Sequence, residues 1–204
     1  MKDLIVLTAD KDMQQLLSGL LPRMPKVYAS EVRKFSYDIK VHPFHDCAYK
    51  DYGDFLRVFP QEYQYALTVL DYEGSGFHDP PVELSQTIEN DLTHKGWQDK
   101  NACIVIEPEL ENWVWVDSPH LATAIDWDSI DDLHEWLDKE GLKPLHQPKP
   151  NRPKEAFEKA LYKSKMQRSS SIYKEIAEKA SFKKCIDASF HKLRDTLKHW
   201  FPVV

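Results

Sequence analysis

The sequence has few cysteines, and none of them are placed as disulfide or zinc motifs require. Cys47, Cys103 and Cys185 are widely separated, and no CxxC pair occurs. A disulfide framework uses an even number of cysteines, and a zinc–thiolate site uses closely spaced pairs. The cysteines therefore exclude both as the basis of the fold, and we expect a reducing, cytoplasmic location.

Long apolar runs and glycine-rich phosphate-binding motifs are also absent. The apolar run at residues 4–7 is too short for a signal peptide, and no stretch is long enough to span a bilayer. We therefore expect no membrane partner. Neither GxxxxGKS/T nor GxGxxG occurs, so a nucleotide-binding sensor has little support. The length of 204 residues is enough for one domain with an appendage.

Charge is distributed unevenly along the chain. Residues 1–141 have 12 basic and 27 acidic side chains, whereas residues 142–204 have 15 basic and 6 acidic ones. These counts give net charges of −15 and +9. We predict an acidic α/β domain over 1–141 that folds on its own, a proline-rich linker over 142–153 and a basic helical region over 154–204. The basic region suits phosphate or an acidic partner, or it simply packs against the acidic domain.

Apolar strands alternate with amphipathic helices. Short apolar runs predict strands near residues 4–9, 35–42, 67–70 and 102–106. This alternation predicts an α/β fold with a mostly parallel, Rossmann-like sheet, helices on both faces and a helical region at the C-terminal end. Apolar residues at helical spacing predict helices over 13–21, 49–63, 82–92, 129–137, 154–163, 171–180 and 187–200.

Two carboxylates follow the third predicted strand. The segment 67–76 is an apolar run that stops at Asp71 and Glu73, with glycines at positions 74 and 76. On an extended backbone, residues two apart point the same way. Both side chains would then face one point at the sheet edge where α/β proteins bind ligands. Such a pair suits Mg²⁺ or Mn²⁺, and the alternative is an ordinary Asp–Gly turn.

Acidic residues also follow the first and fourth predicted strands. Asp10 either caps the next helix, binds the same metal, or does both. Glu107, Glu109 and Glu111 share one face if the segment is extended, whereas only Glu107 and Glu111 share one in a helix. The dipole of a helix N-terminus accounts for one or two of these glutamates. Acids at three strand ends predict a functional acidic site.

The loop after the second predicted strand, residues 42–47, contains two histidines, an aspartate and a thiol. Their spacing matches no zinc pattern. Loops after strands often carry functional residues. His42 or His45 is therefore a better candidate for a catalytic or substrate-contacting residue than for a zinc ligand.

These segments resemble the Toprim fold, the small α/β module of topoisomerases, primases and overcoming-lysogenization-defect nucleases. Asp10 lies where that family has its first Glu, and Asp71-Tyr72-Glu73 lies where it has Asp-x-Asp. The chain also resembles Toprim-like proteins of prokaryotic antiphage defence, in particular a small component of the methylation-associated system. The segments that carry this second resemblance are 7–13, 71–76, 107–120 and 199–202.

The resemblance implies an antiviral protein with a Mg²⁺-dependent nuclease site that acts on phosphodiesters. Asp71, Glu73 and Asp10 would hold the metal. Asp10, with Glu109 or Glu111, would complete the metal shell or activate water. Asp10 replaces the family's Glu and Glu73 replaces its Asp, which leaves a non-catalytic adaptor subunit as the alternative.

The basic helical region provides the expected contacts to nucleic acid or to other defence-system proteins. Arg168 precedes three serines, which are suited to cap a helix or to bind phosphate at its N-terminus. Lys183 and Lys184 form a basic pair further along. Binding through phosphate contacts should weaken steeply with salt.

Overall fold

Four parallel strands form the centre of the computed structural model, which describes residues 1–28, 30–144 and 147–203. Leu145 and His146, two residues of the predicted linker, lie outside this description. The strands are β1 Lys2–Thr8, β2 Tyr37–Val41, β3 Tyr63–Asp71 and β4 Asn101–Ile106.

The strands lie in the order β2-β1-β3-β4, and every pair is parallel. β1 and β3 are central and almost entirely buried, whereas the edge strand β2 is half-exposed. Strands covered on both faces need nearly continuous apolar sequence, which explains the runs Leu4–Leu7 and Ala66–Leu70, where Thr68 is the one polar residue. The predicted α/β class is confirmed, and its sheet is parallel throughout.

Helices surround the sheet. Helix α1 shows why they form where they do: Met13, Leu16 and Leu17 are buried at helical spacing, and Asp10 caps the helix. The helices are α1 Lys11–Leu20, α2 Met24–Val27, α3 Tyr52–Leu56, α4 Tyr72–Ser75, α5 Pro81–Leu92, α6 Glu111–Val114, α7 Pro119–Ala124, α8 Ile130–Lys139, α9 Pro153–Lys163, α10 Ser170–Lys179 and α11 Ala188–Trp200. Short 3₁₀ helices cover Leu21–Arg23 and Asp46–Asp51, and a π-helical turn covers Thr93–Trp97.

The single helix predicted over residues 49–63 is wrong. A 3₁₀ helix precedes α3, α3 ends at Leu56, and β3 already begins at Tyr63. Pro60 lies between them, and a proline disfavours helical backbone at the residue before it. The aromatic residues of this segment therefore belong to a short helix, a connecting loop and the start of a strand.

The basic C-terminal helices pack on the sheet domain. Helix α10 lies along α1, where a Cβ at Gly19 would come within 2.7 Å of the Lys174 carbonyl oxygen. Helix α11 packs against β4, and the Trp200 ring stacks on Tyr65 with centroids 4.6 Å apart. Buried residues from α9, α10 and α11 belong to the same apolar core as the strands. This packing does not support the expectation that residues 1–141 fold alone.

No helix in the described ranges is long and apolar enough to cross a membrane.

Candidate metal centre at the carboxyl edge of the sheet

The carboxyl ends of parallel strands meet at one edge of a sheet, and here an acidic side chain follows each strand. Asp10 follows β1, Asp46 follows β2, and Asp71 is the last residue of β3. Glu109 and Glu111 follow β4, which ends beside β3. The other four carboxylates all act on the ionisation of Asp71. Asp10 from the first acidic group and Glu109 and Glu111 from the last therefore lie near Asp71, and Asp46 joins them.

Asp71 is the most constrained of these residues. Its side chain is buried, with 8% of the residue exposed, and Oδ1 has no hydrogen-bond partner among the described residues. Burial raises the pKa of Asp71 well above its usual value, and the negative charges of Asp46 and Glu111 raise it further. A buried, unpaired carboxylate is costly. A proton or a cation must compensate it.

Asp46 is held directly against the end of β3. Its Oδ1 accepts a hydrogen bond from the Asp71 backbone N–H at 2.7 Å. A Cβ at Gly74 would come within 2.8 Å of Asp46 Oδ2, so the close approach requires glycine there. The preceding residue, His45, has φ of 58°, a conformation that few non-glycine residues adopt. Burial raises the pKa of Asp46, and the charge of Asp10 adds to the rise.

The other candidates in the loop after β2 do not form a zinc site. His42 is buried against the Tyr52 ring, and its Nδ1 accepts a hydrogen bond from the Phe44 amide at 3.3 Å. Burial lowers the pKa of His42. Cys47 is exposed, and its Sγ contacts the Phe44 carbonyl oxygen. His42 is thus a core histidine, and Asp46 is the residue of this loop that reaches the acidic edge.

Asp10 has both roles that its position allows. Its Oδ1 accepts the Met13 amide at 2.8 Å and so caps α1. It also lies close enough to Asp46 and Asp71 to raise the pKa of each. Burial raises the pKa of Asp10 itself, although the hydrogen bond from Met13 opposes this.

Glu73 does not share the direction of Asp71. The backbone turns helical at Tyr72, so the extended geometry behind the predicted pairing ends at Asp71. Glu73 is exposed, and its backbone N–H donates to the Pro108 carbonyl oxygen at 3.1 Å. In a helix, residues two apart lie on different faces. The expectation that both carboxylates aim at one point is therefore wrong.

Within the described ranges, no group of three or more His, Cys, Asp or Glu residues is arranged to hold a metal ion. Mg²⁺ usually keeps several waters and uses only one or two carboxylates of the protein. The unpaired Oδ1 of Asp71, with Asp46 beside it, fits that smaller requirement.

Glu111 is engaged in an internal ion pair. It is 2% exposed, and its Oε1 accepts hydrogen bonds from Tyr173 Oη at 2.6 Å and Arg168 Nη2 at 3.1 Å. Arg168 also binds Asp12 at 2.8 Å and Glu158 at 2.6 Å. Arg168 is therefore the counter-ion of the acidic edge, and this differs from its expected role as a contact to nucleic acid. Burial raises the pKa of Glu111 despite these hydrogen bonds.

A second cation, Lys154, borders the site. Its Nζ lies 3.4 Å from Glu109 Oε2. Burial lowers the pKa of Lys154, but the charges of Glu109 and Glu111 more than offset this and raise it overall. A cleft of about 260 Å³ lies here and is lined in part by Glu73, Glu109 and Arg152. Lys154 lies on α9 and Arg168 in the loop before α10. Both are distant in sequence from the acids, so the sequence showed no basic residue near them.

Lys183 and Lys184 lie elsewhere, on a groove of about 360 Å³ that is also lined by Trp115, Lys149 and Ile186. Both are exposed, and neither has a carboxylate within ion-pair distance in the described part of the chain. Ile186 is 67% exposed beside them. This groove shares no lining residue with the cleft at Glu109. The groove thus combines three lysines and one carboxylate, Asp117, with an exposed apolar side chain.

No family model matches the chain, and neither a curated protein nor a solved structure matches it.

Proposed function

We propose that this chain is a Toprim-like enzyme of antiphage defence that uses Mg²⁺ or Mn²⁺ to cleave phosphodiesters of a nucleic acid in the cytoplasm. The observation that carries the proposal is the buried, unpaired Oδ1 of Asp71 among four further carboxylates. Arg168 and Lys154 neutralise only part of that charge. The remaining negative potential attracts a divalent cation, and a phosphate group cannot approach the acids without one.

Each acidic residue would have a role that follows from its surroundings. Asp71 is the central ligand, and Asp10, which lies nearby, completes the site while it caps α1. A bound metal supplies charge neutralisation of the phosphate and a water of lowered pKa. Glu109, half-buried at the cleft, would be the proton acceptor for that water. Glu111 is a positioning residue, because its carboxylate holds Arg168.

The test is a cleavage assay on labelled single- and double-stranded DNA and RNA, with Mg²⁺, Mn²⁺ or EDTA. We expect cleavage of at least one substrate with metal, none with EDTA, and none from Asp71→Asn. Glu83→Gln, an exposed carboxylate on α5, is the matched control and should cleave like the wild type. Equal cleavage in EDTA, or full activity of Asp71→Asn, would refute the proposal.

A second candidate function is a non-catalytic adaptor of a multi-protein defence complex. The groove at Lys183 and Lys184 favours it, because positive charge around the exposed Ile186 suits an acidic protein segment with an apolar side chain. Co-purification with the other proteins of the defence system, combined with no cleavage under any metal, would support the adaptor. Loss of that co-purification in Ile186→Glu would locate the contact.

A further inference from the structure

Asp46 has a position that its local sequence does not indicate. It comes from the loop after β2, an edge strand, and yet its carboxylate lies against the last residue of β3 and the helical turn that follows. Two independent contacts define this position: the hydrogen bond from the Asp71 amide and the close approach to Gly74. The loop is anchored from the core side as well, because Tyr52 Oη donates to the His45 carbonyl oxygen at 3.4 Å.

Asp46 and Glu73 are the two candidates for a second carboxylate beside Asp71. Glu73 is exposed and lies on a helical turn that starts after Asp71. Asp46 is half-buried, accepts a hydrogen bond from the backbone N–H of Asp71, and lies close to Gly74. The side chain of Asp46, unlike that of Glu73, is therefore fixed against the end of β3 by a hydrogen bond from the backbone of Asp71.

Resting on the proposed function, we infer that Asp46, and not Glu73, is the second metal-binding carboxylate of this site. Asp71, at the end of β3, and Asp46, in the loop after β2, would hold the ion directly, and Asp10 and water would complete its shell. The Asp-x-Glu pair in the sequence is then misleading, because only its first member is a ligand.

A purely structural role for Asp46 predicts a different outcome from the same substitution. If Asp46 only stabilises the turn after β3, a neutral side chain of the same shape stabilises it equally. An amide oxygen also accepts the hydrogen bond from the Asp71 N–H. Asp46→Asn therefore keeps the hydrogen bond and removes the charge. Metal binding weakens in that variant if Asp46 is a ligand, and it is unchanged if Asp46 only holds the turn.

The experiment is a Mn²⁺ titration of the full-length, metal-stripped protein. Binding is measured by calorimetry and by the paramagnetic resonance signal of free Mn²⁺. We expect the wild type and Glu73→Gln to bind within about twofold of each other and Asp46→Asn to bind at least about tenfold more weakly, since even indirect partners of a metal contribute 10- to 100-fold. Thermal melting in EDTA checks that all variants are folded.

The outcomes separate the two proposals. If the wild type binds no Mn²⁺, both the proposed function and this inference fail. If the wild type binds Mn²⁺, but Glu73→Gln weakens binding and Asp46→Asn does not, only the assignment of Asp46 fails. Should Asp46→Asn not fold, anomalous scattering from a Mn²⁺-soaked wild-type crystal decides. A peak between Asp46 and Asp71 supports the assignment, and a peak between Asp71 and Glu73 overturns it.

Discussion

Asp71→Asn should make the metal-free protein more stable while it removes metal binding. The Asp71 carboxylate is buried and has one oxygen without a hydrogen-bond partner among the described residues. Four other carboxylates also disfavour its charged form. An amide has nearly the same shape, carries no charge, and has N–H groups that are able to donate to the neighbouring carboxylates. The backbone hydrogen bond to Asp46 is unaffected by the change.

The magnitude follows from the cost of an unsatisfied buried polar group, which is about 1–3 kcal/mol. For a chain of this length, each kcal/mol shifts the melting temperature by about 2–4 °C. Asp71→Asn should therefore raise the melting temperature in EDTA by between about 2 and 12 °C.

The effect must depend on pH with a defined sign. The folded-state pKa of Asp71 is raised. The stability associated with its protonated form is therefore complete below the unfolded pKa of about 3.9 and is lost as pH rises toward the folded pKa. The advantage of Asp71→Asn should grow with pH across that window. With saturating Mg²⁺ the wild type should gain stability and the variant should not.

Calorimetric melting in EDTA and in Mg²⁺ at several pH values measures the difference in melting temperature and its dependence on pH and metal. Glu83→Gln is the exposed-carboxylate control. The reasoning is refuted if Asp71→Asn melts below the wild type in EDTA at neutral pH. It is also refuted if the difference between the two proteins does not change with pH.

Three further predictions concern the C-terminal region. Arg168→Ala leaves the buried Glu111 without its cation and should destabilise the protein by about 1–3 kcal/mol; adding Glu111→Gln should recover part of the loss in chemical denaturation, and no recovery would disprove the pairing. A chain ending at Gly141 should be insoluble, because it lacks the helices that cover α1 and β4; a cooperative thermal transition in a soluble fragment would contradict this. Replacing both Lys183 and Lys184 by Glu should leave the melting temperature and Mn²⁺ binding unchanged. It should weaken binding of nucleic acid or an acidic partner and reduce the salt dependence of that binding. Unchanged binding with the same salt slope would mean that these lysines are only solvated surface.

Much of the fold was predictable because its signals are local. A buried parallel strand needs a nearly continuous apolar run, and the segments at Leu4 and Leu67 have one, with Thr68 as its one polar member. The capping role of Asp10 follows from a polar residue directly before an amphipathic helix. The end of β3 at Asp71 was predictable for the same reason, since the apolar run stops there. The sequence by itself therefore determined the α/β class, the parallel sheet and the positions of Asp10 and Asp71 at the ends of strands.

Tertiary structure decided the rest of the site. Asp71 and Glu73 were expected to point the same way, but the chain turns helical between them, and a pattern of alternating residues does not show where extended backbone ends. Asp46 lies 25 residues before Asp71 and reaches it only because β2, β1 and β3 are adjacent in the sheet. Arg168 meets Glu111 across 57 positions because α10 packs on α1. Strand order and helix packing depend on contacts between distant residues, so only the folded chain determines which charges become neighbours.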